Sequence, residues 1–293
     1  MNADAAAVVA TPAPTAASPG ARAARRFLRH RGGMAAATVL LLLLLVVFAG
    51  PVLYGKDPAQ IDLANAMAPV SLAHPLGTDE NGRDVLARLL EGGRVSLMVG
   101  VAAMAVSVAI GVLLGAAAGY IGGRVDQAIV QVIDGAMAIP LFFLWLIFLT
   151  SIPPTITTIV LVIGCTSWMP TARVVRSEML AARALEFVEA ARSLGASHLR
   201  ILLKHCLPQA TSSITVSATI AASFAILSEA ALSFLGIGIQ PPRPSWGNML
   251  MGAQDYLFSR PALAVYPGLA IVSLVLALNV FGDALRDVLN PRG

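Results

Sequence analysis

The stretch MAAATVLLLLLLVVF, Met34 to Phe48, is apolar on every side, and so is LAVYPGLAIVSLVLALNVF, Leu263 to Phe281. A helix through either run has no polar face to offer water, so both belong in lipid. The rest of the chain leans the same way. Of its 293 residues 57% are hydrophobic and 12% charged, and mean hydropathy is +0.78, beyond what a soluble globular domain shows. A hydrocarbon core about 30 Å thick takes roughly 20 helical residues. Length, absence of charge and flanking punctuation then mark six spans, approximately 34–54, 95–119, 126–150, 155–172, 211–235 and 263–282. Pro153 and Pro154 make the third and fourth a tight hairpin. The expected fold class is all-α and integral to a membrane.

Orientation follows from the excess of Lys and Arg in cytoplasmic loops. With the N-terminus inside, 14 of the 20 basic residues fall on the cytoplasmic side and 6 outside. Six spans with both termini inside are therefore self-consistent. This divides the chain into a basic cytoplasmic tail (1–33), the first span (34–54), an extracytoplasmic segment (55–94), a core (95–282) and a short cytoplasmic tail (283–293). Residues 1–21 are of low complexity and expected to be disordered. Within the core, 173–210 form a cytoplasmic loop and 237–262 an outer one. Arg25-Arg26-Phe27-Leu28 resembles a twin-arginine export signal. It lacks a residue between the arginine pair and Phe27, and Val47-Phe48-Ala49 is a poor cleavage site, so an uncleaved first helix is expected.

Several chemistries are excluded. The basic residues lack interleaved aromatic residues, which argues against nucleic acid. Cys165 and Cys206 form neither a disulfide framework nor a thiolate site. His30, His74, His198 and His205 lie in separate segments without metal-ligand spacing. GPVLYGKD, Gly50 to Asp57, imitates a phosphate-binding loop, but Asp57 replaces the hydroxyl that would hold magnesium and Pro58 opposes the helix that should follow. Asp79 to Asp84 lacks the ligand ladder of a calcium loop and reads as a turn before an amphipathic helix, Val85 to Leu90. Polar residues on opposite membrane faces form no catalytic arrangement, so no enzyme, no cofactor and no metal site is expected on this chain.

Ionisable groups within or beside spans are costly and draw attention to Asp126, Asp134 and Glu229. Asp126, near Arg124, reads as a structural ion pair or interfacial anchor. Asp134 has two readings, lining a translocation path or bonding helix to helix. Glu229, with Ser228 and Ser233, likewise stands as either a gate or a structural group.

The cytoplasmic stretch EFVEAARSLGASHLRILLKHCLP, Glu186 to Pro208, reads as two short helices hinged at Gly195. Gly195 suits the left-handed end of one helix, Ser197 can cap the next and Pro208 should stop it. Arg183 with Glu186, and Glu189 with Arg192, are spaced to pair on one face. The spacing Glu189-Ala190-Ala191, Gly195, Leu207-Pro208 resembles the EAA loop of bacterial ABC importer permeases. HPLGTDENGRDVLARLL from His74, GYIGGRVDQ from Gly119, EAALSFLGIGIQPPRPSWGNML from Glu229 and FGDALRDVLNPR from Phe281 extend that resemblance, in order, to the second permease of the oligopeptide/dipeptide/nickel branch. Asn290, where Asp is usual, and Cys206, in an aliphatic place, are its departures.

The resemblance implies a type I importer fold with a five-helix core plus an N-terminal helix in a bacterial inner membrane. It further implies a partner permease, two ATPases holding ATP and magnesium, and an extracytoplasmic binding protein. Glu186, Glu189, Ala190, Ala191, Gly195, Leu207 and Pro208 would then couple ATP hydrolysis to transport, with di- or oligopeptides as cargo and nickel as the alternative. An ion-gradient-driven transporter is the rival class. It would show paired repeats with broken helices, and the sequence offers no convincing pair.

Overall fold

A computed structural model of the chain describes residues 19–289. The expected disorder of 1–18 and the closing residues 290–293, with Asn290, lie outside the described residues. Twelve helices follow: α1 Pro19–Arg29, α2 Arg31–Tyr54, α3 Val85–Ile121, α4 Gly123–Met137, α5 Leu141–Ser151, α6 Ile156–Thr166, α7 Met169–Ala182, α8 Glu186–Ser193, α9 His198–Ile201, α10 Thr211–Phe234, α11 Trp246–Ala253 and α12 Ala262–Leu289. Among the described residues the only β pairing is an isolated bridge between Thr78 and Asp84. Among the described residues four helices are long and apolar enough to cross a membrane, or up to six spans if each of two bent pairs is counted as one.

Several boundaries depart from expectation, each for a local reason. Helix α1 begins at Pro19, although disorder was expected as far as residue 21, and Phe27 packs edge-on against Phe281 of α12 at 5.5 Å. Helix α3 starts ten residues before the expected span because Asp84 caps it, accepting from the Ala87 N–H at 3.0 Å. The third span is not continuous. It bends by 79° between α4 and α5, where Pro140 lacks an N–H and pushes Ile139 out of helical conformation. The fourth bends by 43° at Ser167 and Trp168, and α7 then runs on to Ala182 with Pro170 in its first turn. The outer loop 237–262 contains a helix, α11, and the 283–293 tail is helical as far as Leu289.

Helix α3 is the axis of the bundle. Its Gly111, Gly115 and Gly119 recur every four residues and form one bare stripe against α7. A Cβ added at Gly115 would lie 2.5 Å from the Ala172 carbonyl oxygen, at Gly119 2.5 Å from that of Arg176, and at Gly111 2.9 Å from that of Trp168. The two backbones therefore touch, as small-residue stripes allow in membranes. Elsewhere Val99, Trp145, Leu149, Ile159, Ile163 and Leu232 join α3, α5, α6 and α10 in one cluster. Val47, Leu97, Ile226, Trp246 and Leu274 join α2, α3, α10, α11 and α12 in another. Helix α2 buries little and turns Leu41, Leu42, Leu45 and Val46 outward, as a lipid-facing helix should.

Gly115→Val should destabilise the folded chain by about 1–3 kcal/mol or more, since overpacking here meets backbone rather than a movable side chain. Gly135→Ala, where a new Cβ meets nothing within 4 Å, should be neutral or stabilising by up to about 1 kcal/mol. Detergent thermal-shift curves of the two variants check the contrast.

Candidate functional site

Gly195 has φ +81°, the left-handed region that glycine enters without strain. The Ala196 N–H donates to the Ala191 carbonyl at 3.1 Å and the Gly195 N–H to that of Arg192 at 3.0 Å. This pair of bonds is a Schellman C-cap, and it turns the chain from α8 into α9. Ser197 stands at the N-cap of α9, yet its side chain makes no capping hydrogen bond. Pro208 does not stop the helix either. A π turn, Leu202–Cys206, and a 3₁₀ turn, Leu207–Ala210, absorb its missing donor, and the Leu207 N–H reaches back to the Leu202 carbonyl. The chain continues directly into α10.

Val188, Ile201 and Cys206 have zero exposure and pack with Val175 and Met179 of α7. Cys206 fills its aliphatic place as a small apolar group. Glu186, Glu189, Ala190, Gly195 and Pro208 are exposed, while Ala191 and Leu207 are half-buried. The segment is thus pinned on one face and open on the other. The sequence reading did not single out the anchors Val188 and Ile201, although Leu185, Val188 and Ala191 at three-residue spacing carry the signal for the first. Among the described residues neither Arg183 with Glu186 nor Glu189 with Arg192 forms an ion pair. Arg183 instead donates to the Tyr120 carbonyl at 3.4 Å.

Both span-edge aspartates face α7. Asp126 receives Arg176 through both carboxylate oxygens, with Nη2 to Oδ2 at 2.7 Å, so the expected structural ion pair exists with Arg176 rather than Arg124. Asp134 accepts from Arg173 at 2.5 Å with more than half of its side chain exposed. That is the helix-to-helix bond of its two readings. Glu229 lies in a different cluster. It accepts from the Ser96 hydroxyl of α3 at 2.8 Å and from Ser233 at 2.7 Å, and its exposure is zero. Ser96 in turn accepts from the Trp246 N–H at 3.3 Å, and Ser233 from the Ile239 N–H at 2.9 Å. Glu229 therefore binds α3, α10 and the start of α11 together. Ser228 bonds only within its own helix, to the Phe224 carbonyl at 2.7 Å.

The stretch from His74 to Asp84 is a tightly bonded turn. Asp79 accepts from the Asn81 and Arg83 N–H groups, both at 2.9 Å, and from Arg83 Nε at 2.7 Å, with Arg88 Nε 3.4 Å away. Its carboxylate is spent on internal donors. Asp84 holds Tyr54 at 2.8 Å, Lys56 at 3.1 Å and His74 at 2.9 Å. Burial pushes the Asp84 carboxyl up, but the Ala87 N–H and the Tyr54, Lys56 and His74 side chains outweigh it and leave it below the usual aspartate range. This clasp was not legible from the sequence, since its members lie between 10 and 30 residues from Asp84.

The bends of the third and fourth spans also meet. Met137, Ile139, Leu141, Ser167, Met169 and Phe224 line a cavity of about 370 Å³ with Ser217 of α10. No broken pair was expected from the sequence, and two exist. They are consecutive spans rather than matching positions in two repeats, so they do not mark a repeat-built secondary transporter.

The described residues thus form an all-helical bundle of membrane-spanning length, with one segment pinned on one face and open on the other. Residues 111–292 match the family described as binding-protein-dependent transport system inner membrane component, and residues 18–75 match the N-terminal TM domain of oligopeptide transport permease C. The chain belongs to this family, and is a permease component of an ABC importer. It is 40% identical over 281 residues to a putative peptide permease protein of Brucella suis, covering 95% of this chain and 93% of the relative. A putative peptide transport system permease protein of Brucella abortus is 36% identical over 275 residues, covering 94% and 93%. The nickel transport system permease protein NikC of Escherichia coli is 38% identical over 235 residues, covering 80% and 85%.

Glu229→Ala strands the Ser96 and Ser233 hydroxyls and should cost about 2–3 kcal/mol or more, whereas Glu229→Gln, which keeps the shape, should cost less. Melting curves rank the two, and loss of transport by Glu229→Gln at unchanged stability would instead make the carboxylate part of the gate. Because the Asp84 pKa is depressed on folding, its ties contribute stability above about pH 4 and are lost as pH falls through the lower folded value. Limited proteolysis of residues 55–84 should therefore accelerate only below about pH 4 in the natural chain, and already at neutral pH in Asp84→Asn.

Proposed function

We propose that this chain is half of the translocation pathway of a peptide importer, paired with a second permease, and that residues 186–208 receive the stroke of separate ATPase subunits. The observation that carries the reading is the asymmetry of that segment. Val188, Ile201 and Cys206 anchor it to α7, while Glu189 and Ala190 remain exposed for a partner. A lever needs both properties, rigid attachment to the moving helices and a free docking face. ATP and magnesium belong to the ATPase chains, and an extracytoplasmic binding protein delivers cargo near the His74–Asp84 turn. Both termini are cytoplasmic by the distribution of basic residues. Transport then proceeds by rigid-body rocking of the bundles.

Peptides are favoured over nickel as cargo by two supports. Relatives named as peptide permeases align over nearly the whole chain. The cavity at the two bends also offers Met137, Met169 and Phe224, polarisable surfaces that adapt to side chains of varied shape. Nickel keeps a claim through the relative named for it.

The test is reconstitution in nanodiscs of the chain with its co-purifying subunits and binding protein, loaded with dipeptides, longer peptides or nickel. Peptide-dependent stimulation of ATP hydrolysis is the expected result. Stimulation by nickel alone would move the cargo to the metal, and absence of any ATPase subunit would remove the importer assembly. Gly195→Val, forced into a left-handed backbone at about 1–2 kcal/mol, should lose most peptide-dependent stimulation while the bundle still folds. Gly195→Ala should lose less.

A further inference from the structure

A cavity of about 640 Å³ separates the end of α3 from the coupling segment, lined by Tyr120, Ile121, Arg183, Ala184, Arg192 and His198. Its lining includes two guanidinium groups, an imidazole and a phenol, and no carboxylate. Gly122, with φ +73°, makes room for one of these cations. A Cβ there would lie 2.5 Å from Arg183 Nη1. So held, Arg183 makes one long bond, to the Tyr120 carbonyl at 3.4 Å, which leaves most of its donor fork unused among the described residues. Arg192 has no ion-pair or hydrogen-bond acceptor among them. Tyr120 and His198 meet at 3.2 Å between hydroxyl and Nδ1, tying the rim of α3 to α9.

The carboxylates nearby do not neutralise this site. Asp126 lies close enough to feel Arg183 but is engaged by Arg176. Glu186 and Glu189 sit exposed on α8 without reaching either guanidinium within ion-pair distance. The cavity is also at a defined depth. Tyr120 and Ile121 end a helix that crosses the membrane, and Ile121 stays exposed. The apolar span read from the sequence ends at residue 119, so Tyr120 and Ile121 fall where headgroup phosphates begin, and basic pockets at that level attract them. Arginine suits the task because its planar fork matches two phosphate oxygens.

We propose that this cavity binds the phosphate of an anionic phospholipid headgroup, with Arg183 and Arg192 as the two forks and the hydrogen-bonded Tyr120–His198 pair supplying one further donor. The proposal rests on the membrane placement of the bundle and not on the cargo. The bound lipid would bridge α3 and α7 to the coupling segment.

The complex of the full-length chain with its co-purifying subunits is exposed in detergent to phosphatidylglycerol or phosphatidylcholine, and native mass spectrometry counts the lipids retained. Phosphatidylglycerol should be retained preferentially, and Arg183→Gln with Arg192→Gln should weaken its retention at least about tenfold, which is what losing even one of the two charge-assisted contacts is worth. Arg25→Gln with Arg26→Gln, on α1, should leave it unchanged. Equal retention by the glutamine double variant would overturn the proposal. So would complete displacement by millimolar inorganic phosphate, which would make a free anion the ligand, or loss of the ATPase subunits with lipid retained, which would assign the cations to a partner's carboxylates. If the double variant does not purify, Arg183→Lys with Arg192→Lys keeps the charge and loses the forks; weaker retention supports the proposal and equal retention overturns it. The count needs no transport, so a failed peptide assay leaves it readable.

Discussion

Backbone contact between α3 and α7 along Gly111, Gly115 and Gly119 is the constraint on which the other positions depend. Lipid supplies no hydrophobic force between helices, so association relies on close approach and on bonds between polar groups. The stripe brings α7 near enough for Arg176 and Arg173 to reach Asp126 and Asp134 on α4. It also fixes where α7 leaves the membrane, and hence where Val188 and Ile201 find Met179 to pack against. A partly exposed ion pair is ordinarily worth little. Here two of them select which face of α4 meets α7, after the glycines have set the distance.

The class of fold was plain in the apolar runs at 34–48 and 263–281, and the basic-residue count gave a consistent topology. What escaped were features that depend on contacts distant in the chain. The clasp around Asp84 joins residues from 54 to 87, and the Glu229 cluster joins Ser96 to a serine of its own helix 137 positions further on. No local pattern announces such pairs. The glycine stripe is different, because three glycines at four-residue spacing are visible in the sequence and went unread. Proline was misjudged twice in opposite directions. Pro140 breaks a span that looked continuous, while Pro208 is absorbed by a π turn where a stop was expected.

The local shape of residues 186–208 was legible in outline. Its hinge, Gly195, and its exposed Glu189 are where the spacing put them. Its surface charges behave otherwise than helix spacing suggested, since neither proposed pair forms. Among the described residues Arg192 has no acceptor and Arg183 has one long bond to the Tyr120 carbonyl, and both border one cavity.

The π turn before Pro208 has a mechanical consequence. By accommodating the proline without a loop it leaves His198 to Phe234 as one continuous helical beam. From Leu207 to Glu229 is about 33 Å along such a helix, most of the thickness of a bilayer. With no loop between its ends, the two ends are joined by one unbroken run of helical backbone, and the π and 3₁₀ turns at Leu202–Ala210 are the places within it where the regular hydrogen-bond pattern is interrupted. The far end is seated among Ser96, Trp246 and Ile239, so the Glu229 cluster and the segment after Gly195 lie on one and the same helical run.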